Sequence, residues 1–314
     1  MVRGGAGRTA APAPVQPPAV RTLSYDPPMA FVLPTTLSPS KVSTFKDCAL
    51  AFRFSAIDRV PEPPSAPAMK GTMVHRALEL LFAEPATRRS HEQAVAHLHD
   101  ASEEMRSSEE WELLGLDAGA ATAFDSDAGT MLERYFALED PASVEPIGIE
   151  LRLEVELGDL HLRGIIDRLE LDADGELVVT DYKTGRAPSV QQEASRLGGV
   201  HFYALMCERL FGRRPSKVQL IYLGAQPQII ETVPTEQSIT GVERKLTAIW
   251  AAVERACERE DFRPKPSALC NWCAFKEWCP AFGGDPELAP ATRPTRVATP
   301  DPALVASPTP QPAA

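Results

Sequence analysis

Gly164-Ile-Ile-Asp-Arg-Leu-Glu-Leu-Asp-Ala-Asp-Gly-Glu-Leu-Val-Val-Thr-Asp-Tyr-Lys-Thr-Gly185 decides the fold. It reads as two β-strands around a tight turn, because apolar and β-branched residues flank Ala173-Asp174-Gly175 and Asp-Gly is a hairpin signal. Asp167, Asp181 and Lys183 interrupt the apolar pattern. Side chains alternate faces along a strand, so Asp181 and Lys183 share a face and Tyr182 takes the other. A three-residue loop at 173–175, with Gly175 at the left-handed position, pairs 172 with 176 and 167 with 181. The two aspartates then lie opposite each other, with Cβ atoms roughly 5 Å apart. Facing carboxylates destabilise a sheet unless a cation lies between them, and oxygen donors of this kind suit Mg²⁺ or Mn²⁺. The rival reading is an exposed strand edge with scattered charges. Ile165, Ile166, Val178 and Val179 argue against it by suggesting a buried sheet.

The 314 residues suffice for one large domain or two small ones. Residues 1–32 are Pro/Ala-rich and 282–314 Pro-rich, and both read as disordered tails. Met29 is a candidate start. The N-terminus has no apolar h-region, and no run approaches the roughly 20 apolar residues of a membrane span. The expectation is a cytoplasmic chain with no membrane partner. The net charge of −11 sits awkwardly with nucleic-acid binding, which favours a basic face. Local cations remain, among them Lys41, Lys46, Arg53, Arg59, Arg186, Arg196, Arg213, Arg214, Lys217, Arg263 and Lys265.

Gly-Ile-Ile-Asp-Arg followed by Thr-Asp-Tyr-Lys-Thr-Gly resembles the core of the RecB-like nucleases of the PD-(D/E)xK superfamily, which include Cas4-type proteins. The resemblance extends over roughly residues 35–281. Ser38 and Pro39 open a short helix as N-cap and first helical residue, and it closes at Cys48. The family has a similar helix ending in Cys, usually followed by Pro, where this chain has Ala49. Lys70–Phe82 reads as an amphipathic helix with His75 and Glu79 one turn apart. Gly71-x-x-x-His75 resembles the family's first motif, in which the His is a metal ligand. A lone helical His otherwise reads as a surface or packed residue.

Residues 85–140 form a polar helical insert, read as a supporting subdomain before a lid or a strand-guiding wall. His91, His97 and His99 within it read as solvated. Residues 147–157 alternate as a strand, on which Glu150 reads equally as a solvent-facing glutamate or as the acidic residue the family often places near the metal. After the Asp-Tyr-Lys strand, a helix runs to Phe211. The family pattern Gln-x-x-x-Tyr is half present, as Tyr203 with Gly199 in the Gln position, and Gly198-Gly199 could delay the helix to Val200. Strands at 218–224 and 228–233 and a helix at 242–259 complete an α/β domain over 33–281. This is a mixed sheet flanked by helices, the restriction-endonuclease-like fold that the resemblance implies.

Cys270-x₂-Cys273-x₅-Cys279 (residues 268–280 in all) joins Cys48 as a fourth thiol, while Cys207 and Cys257 fall inside helices as packed thiols. Disulfides are not expected without an export signal. Spacing alone leaves zinc and an iron–sulfur cluster open. The resemblance implies a [4Fe–4S] staple that ties the domain ends together, with Trp272, Phe275 and Trp278 shielding it. It also implies metal-dependent hydrolysis of DNA phosphodiesters, as an exonuclease of repair or recombination. His75, Asp167, Asp181 and the Tyr182 carbonyl would hold Mg²⁺ or Mn²⁺, with Asp167, Asp181, Lys183 and Tyr203 catalytic. The partners would be single-stranded DNA or DNA with free ends, and a helicase or repair protein. The alternative is a non-catalytic DNA-binding or assembly module that keeps the fold.

Overall fold

A strand hairpin followed by a crossover helix fixes the topology. The structure, a computed structural model, describes residues 29–187, 190–292 and 296–298, with backbone alone for 29–30, 190–200 and 296–298. Ala30–Val297 make up one unit, which carries the whole sheet and its helices. After a short strand β1 (Met29–Phe31) come α1 (Pro39–Asp47), α2 (Ala49–Phe52) with a π-helical turn Arg53–Asp58, and α3 (Ala66–Ala83). The insert supplies α4 (His91–Arg106), α5 (Glu109–Leu114) and α6 (Ala118–Leu138). Next come β2 (Glu145–Leu157), β3 (Leu160–Leu171), β4 (Leu177–Lys183), α7 (Val190–Phe211), β5 (Lys217–Tyr222), β6 (Gln228–Thr232) and α8 (Glu236–Glu258).

The five strands lie in the order β2-β3-β4-β5-β6. All neighbours are antiparallel except β4 and β5, which α7 joins as a parallel crossover. This is the mixed α/β sheet that the pattern predicts. The turn has the expected loop: Asp172 pairs with Glu176 through its N–H (2.9 Å), and Gly175 adopts φ +73°. Ser38 caps α1 by accepting the Lys41 N–H (3.3 Å).

Three apolar clusters hold the layers together. On one face Ile166, Val179, Val218 and Leu220 pack against Phe202 and Leu205 of α7 and Val242 and Leu246 of α8. On the other, Met73, Val74, Leu78 and Leu81 of α3 meet Leu98 of α4, Leu132 and Tyr135 of α6, and Tyr182 and Ile221 of the sheet. The insert is therefore built into the second layer. The third cluster joins Phe52, Phe54 and Ile57 to Val253, Cys257, Phe262 and Phe275. Each such fully buried side chain contributes roughly 1.5–3 kcal/mol by leaving water.

Several expectations change. The backbone of α7 is helical from Val190, so it passes through Gly198-Gly199 rather than starting after them. His97 is not solvated: it sits between Gln93 Nε2 (3.1 Å) and the Glu84 carboxylate (3.7 Å). Of the expected tails, 1–28, 293–295 and 299–314 lie outside the described residues. Within the rest, Phe31 is buried edge-to-face on Phe262. Residues 282–292 are not a free tail, since Glu287 pairs with Arg53 (3.0 Å) and the Thr292 hydroxyl donates to the Arg59 carbonyl (2.9 Å). No helix among the described residues is long and apolar enough to cross a membrane.

Candidate active site

The site forms where β3 and β4 part company. Their ladder runs from Leu171 opposite Leu177 to Arg168 opposite Thr180. One step further the same count sets Asp167 against Asp181, as the hairpin parity predicts. Here a side chain replaces the ladder bond: Asp167 Oδ2 accepts the Tyr182 N–H at 2.7 Å. The other side of Tyr182 faces α3, where His75 Nε2–H donates to the Tyr182 carbonyl (3.1 Å) and His75 Nδ1 lies 3.5 Å from Asp167 Oδ2. Two glycines permit the approach of the helices. A Cβ on Gly71 would lie 3.0 Å from Thr184 Oγ1, and one on Gly164 would lie 2.9 Å from the Tyr203 ring, so each helix meets the sheet where no side chain intervenes.

Asp181 and Lys183 share a face and form an ion pair. Asp181 Oδ2 is nevertheless buried with no well-aligned hydrogen bond. Burial, and then the nearby Asp181 charge, push the Asp167 carboxyl up to about 8, against the lowering effect of the Tyr182 N–H. Burial lowers the His75 pKa, keeping the imidazole neutral, with Asp181 opposing. Burial disfavours the Lys183 ammonium as well, but Asp181 outweighs it and the pKa is raised. Tyr203 faces the same carboxylates. Burial, then Asp181, Asp167 and Glu150, hold its phenol protonated.

Glu150 joins them. His75, Glu150 and Asp167 each offer a ligand atom, all within 4.8 Å of one another. Strict alternation would send Glu150 outward with Arg152 and Glu154. Instead its backbone turns left-handed at φ +46°, and the strand changes face there: Ile149 packs in the α3 layer and Leu151 in the α7 layer. A left-handed glutamate in a strand is strained, and such strain persists where the surroundings enforce it. The geometry thus sets Glu150 beside His75 and Asp167 rather than out in solvent, which no composition or periodicity signal could have shown.

Arg168 is also more than its sequence suggests. It is fully buried, forks onto Glu139 (2.6 and 2.8 Å), donates to the Tyr182 hydroxyl (3.0 Å), and contacts Glu170 as an ion pair without hydrogen-bond alignment. The site opens into a cleft of about 850 Å³ walled by α3 and by Met105 and Glu110 of the insert.

From opposite ends of the described chain, Cys48 and the later Cys270, Cys273 and Cys279 line one cavity of about 230 Å³. Backbone N–H groups already point at two of the sulfurs, Lys265 to Cys48 (3.5 Å) and Ser267 to Cys270 (3.3 Å). Cys207 and Cys257 are buried elsewhere, as expected of packed thiols. Phe275 and Trp278 pack on Phe54, but Trp272 does not shield the cavity: it is 87% exposed.

Known proteins resemble this chain over part or most of its length. The gene 69 protein of Mycobacterium phage D29 is 26% identical over 267 residues, covering 78% of this chain and 96% of the phage protein. That of Mycobacterium phage L5 is 29% identical over 136 residues, covering 43% of this chain and 44% of its own. A solved structure from Eubacterium rectale, named "Putative exonuclease", shares the fold at a TM-score of 0.50 with 11% identity, over 76% of this chain and 87% of that one. The profile of the PD-(D/E)XK nuclease superfamily matches residues 36–280, a span that holds the hairpin carboxylates, His75 and the four clustered cysteines, and the chain belongs to that superfamily.

Proposed function

We propose that the protein is a metal-dependent deoxyribonuclease of the RecB-like, Cas4-like branch, acting on DNA ends in repair or recombination. The observation that carries this reading is the convergence of His75, Glu150 and Asp167 beside the buried, unaligned oxygen of Asp181. That donor set fits a divalent cation. Three carboxylates crowd one spot, a carbonyl faces it, and the mixed nitrogen and oxygen donors suit Mn²⁺ as well as Mg²⁺.

His75, Asp167, Asp181 and the Tyr182 carbonyl, with Glu150 beside them, would hold such a cation, which would supply charge stabilisation at the scissile phosphate and lower the pKa of an attacking water. The chain's own groups do the rest. Lys183 keeps its proton and reaches toward solvent, where it donates to a phosphoryl oxygen or orients the water. Tyr203, its phenol protonated, is a second donor on the α7 side. His75 is neutral and therefore free to offer a lone pair.

For the cysteines we propose a [4Fe–4S] cluster. Zinc at about 2.3 Å from each thiolate needs sulfurs about 3.8 Å apart. Among the described residues, the group of three or more ligands with donor atoms all within 4.8 Å is the His75 set, so no three of these sulfurs are that close. A cavity between them and N–H groups aimed at the sulfurs suit the larger cluster.

The test is degradation of labelled linear single- and double-stranded DNA, with circular controls, in Mg²⁺ and in Mn²⁺, by anaerobically prepared protein. Cleavage that requires metal and disappears in Lys183→Ala is expected, and linear-over-circular preference marks an exonuclease. Equal turnover in wild type and Lys183→Ala sinks the assignment. Folded protein that binds DNA without cutting it supports the non-catalytic module, which Gly199 in the Gln position favours.

A further inference from the structure

The cations of this acidic chain are not spent evenly. Five of the eleven that stand out in the sequence are neutralised locally: Arg53 by Asp58, Arg213 by Glu176, Arg214 by Glu208, Lys217 by Glu231 and Arg263 by Asp261. Lys70 and Lys183 are paired as well. Lys46, Lys245, Lys265 and Lys276, all exposed, have no carboxylate within ion-pair reach among the described residues.

Contacts link three of them through Lys46, and Lys276 shares a cavity with Lys265. Lys265 Nζ donates to the Lys46 carbonyl at 3.0 Å. Lys46 in turn stands against Lys245, whose ammonium is disfavoured by partial burial first and by Lys46 second. Lys265 and Lys276 border the cysteine cavity, and the Lys276 ammonium rests 4.7 Å above the Phe282 ring. Two carboxylates, Asp47 and Glu62, border that cavity too, and neither pairs with these lysines; Asp47 accepts the Ser43 hydroxyl instead. Like charges held together on a surface repel, and a polyanion relieves that cost.

The same rim carries Trp272 at 87% exposure, flanked by Leu269 at 56% and Phe282 at 47%. An indole this exposed buries little within the fold. Its flat face matches a nucleic-acid base, and stacking of that kind is sequence-tolerant. A duplex offers phosphates but keeps its base faces stacked, so lysines beside a bare indole match an unpaired strand.

We infer that Trp272, Lys265 and Lys276 on the rim of the cysteine cavity, continued by Lys46 and Lys245 beside Lys265, form a binding surface for single-stranded DNA, a base stacking on the indole while the lysines contact phosphates. The inference rests on the nuclease reading for its choice of DNA, but its test does not depend on cleavage. Binding of a labelled oligothymidylate and of a matched duplex is measured by fluorescence anisotropy over a salt series, with Lys183→Ala protein so that nothing is cut. Trp272→Ala should weaken single-strand binding about 10-fold, and Trp272→Phe should restore most of it. The double variant Lys46→Gln/Lys245→Gln should make the log–log salt slope shallower by about 1.4, since each phosphate contact on a single strand contributes about 0.7. Iron and zinc content and the unfolding midpoint check that these surface changes leave the cysteine site and the fold intact. Unchanged affinity in Trp272→Ala, or an unchanged slope in the lysine variant, overturns the proposal. So does an equal loss for duplex and single strand in Trp272→Ala. If protein with Lys183 intact fails to cleave while these binding effects appear, the nuclease reading falls and the surface stands.

Discussion

Arg168→Met tests how the sheet supports the site. The guanidinium is fully buried, forks onto Glu139 at 2.6 and 2.8 Å, contacts Glu170 and donates to Tyr182. Phe82 lies beneath it, with the guanidinium carbon 4.6 Å from the ring centre. Removing one partner of a buried ion pair costs about 3–5 kcal/mol, because the remaining charge stays out of water unpaired. Two carboxylates are stranded here. Burial already raises the Glu170 pKa, with Arg168 opposing, so losing Arg168 raises it further. An acid with a raised folded-state pKa is harmless below its unfolded pKa and costs stability as pH climbs toward the folded value.

The deficit of Arg168→Met should therefore be largest near pH 8 and shrink toward pH 5. Urea unfolding at several pH values reads this directly, and the corresponding drop in thermal midpoint at neutral pH is roughly 10 °C. Arg168→Met combined with Glu139→Gln and Glu170→Gln should recover most of the loss, because no charge is then left unpaired. A single-variant cost below about 1 kcal/mol, or a deficit that grows on acidification, would refute the reasoning.

Asp167→Asn should raise the thermal midpoint in chelator. Wild-type Asp167, with its pKa pushed up to about 8, loses stability as pH rises from its ordinary value near 3.8, so the variant's advantage should widen from pH 5 to pH 8. Saturating Mn²⁺ should reverse the order, since ligand that binds only the folded state stabilises it; a variant less stable than wild type in chelator at pH 8 contradicts this. Cys273→Ser should abolish bound iron by elemental analysis, while Cys207→Ser, whose thiol is buried in the α7 layer, should keep it. Stoichiometric zinc in wild type would show the cluster assignment to be wrong.

Legibility followed local rules. The hairpin was readable because Gly175 supplies the left-handed turn position and the apolar residues keep their period, and the register it implied holds from Leu171–Leu177 to Arg168–Thr180. The same face for Asp181 and Lys183 came from parity alone, and the ion pair between them agrees. Ser38 and Pro39 announced α1 by capping chemistry. None of this needed knowledge of distant contacts. His75 was different: helix periodicity says only that it lies beside the apolar stripe, and the resemblance to a family motif supplied its role. Trp272 was misplaced because an aromatic residue near cysteines reads as packing, while its neighbours in sequence do not reveal which side of the segment faces the core.

Glu150 and Arg168 mark where parity stops working. A period of two assumes that every residue in a strand is extended, and Glu150 at φ +46° is not. That one residue moves Ile149 and Leu151 to opposite layers and turns its own carboxylate toward His75 and Asp167. On the facing strand Ile166 packs in the α7 layer while Arg168, two residues on, points at Phe82 and Tyr182 in the α3 layer. Both strands thus change face at the level of Asp167. A regular sheet would align Asp167 with one layer only. The switch lets its carboxylate cap the Tyr182 N–H and leaves the Tyr182 carbonyl to α3 and His75. The buried fork of Arg168 onto Glu139 then holds the distorted strand from the insert side. The features least visible in the sequence are therefore the ones that break strand geometry, and they break it at the carboxylates.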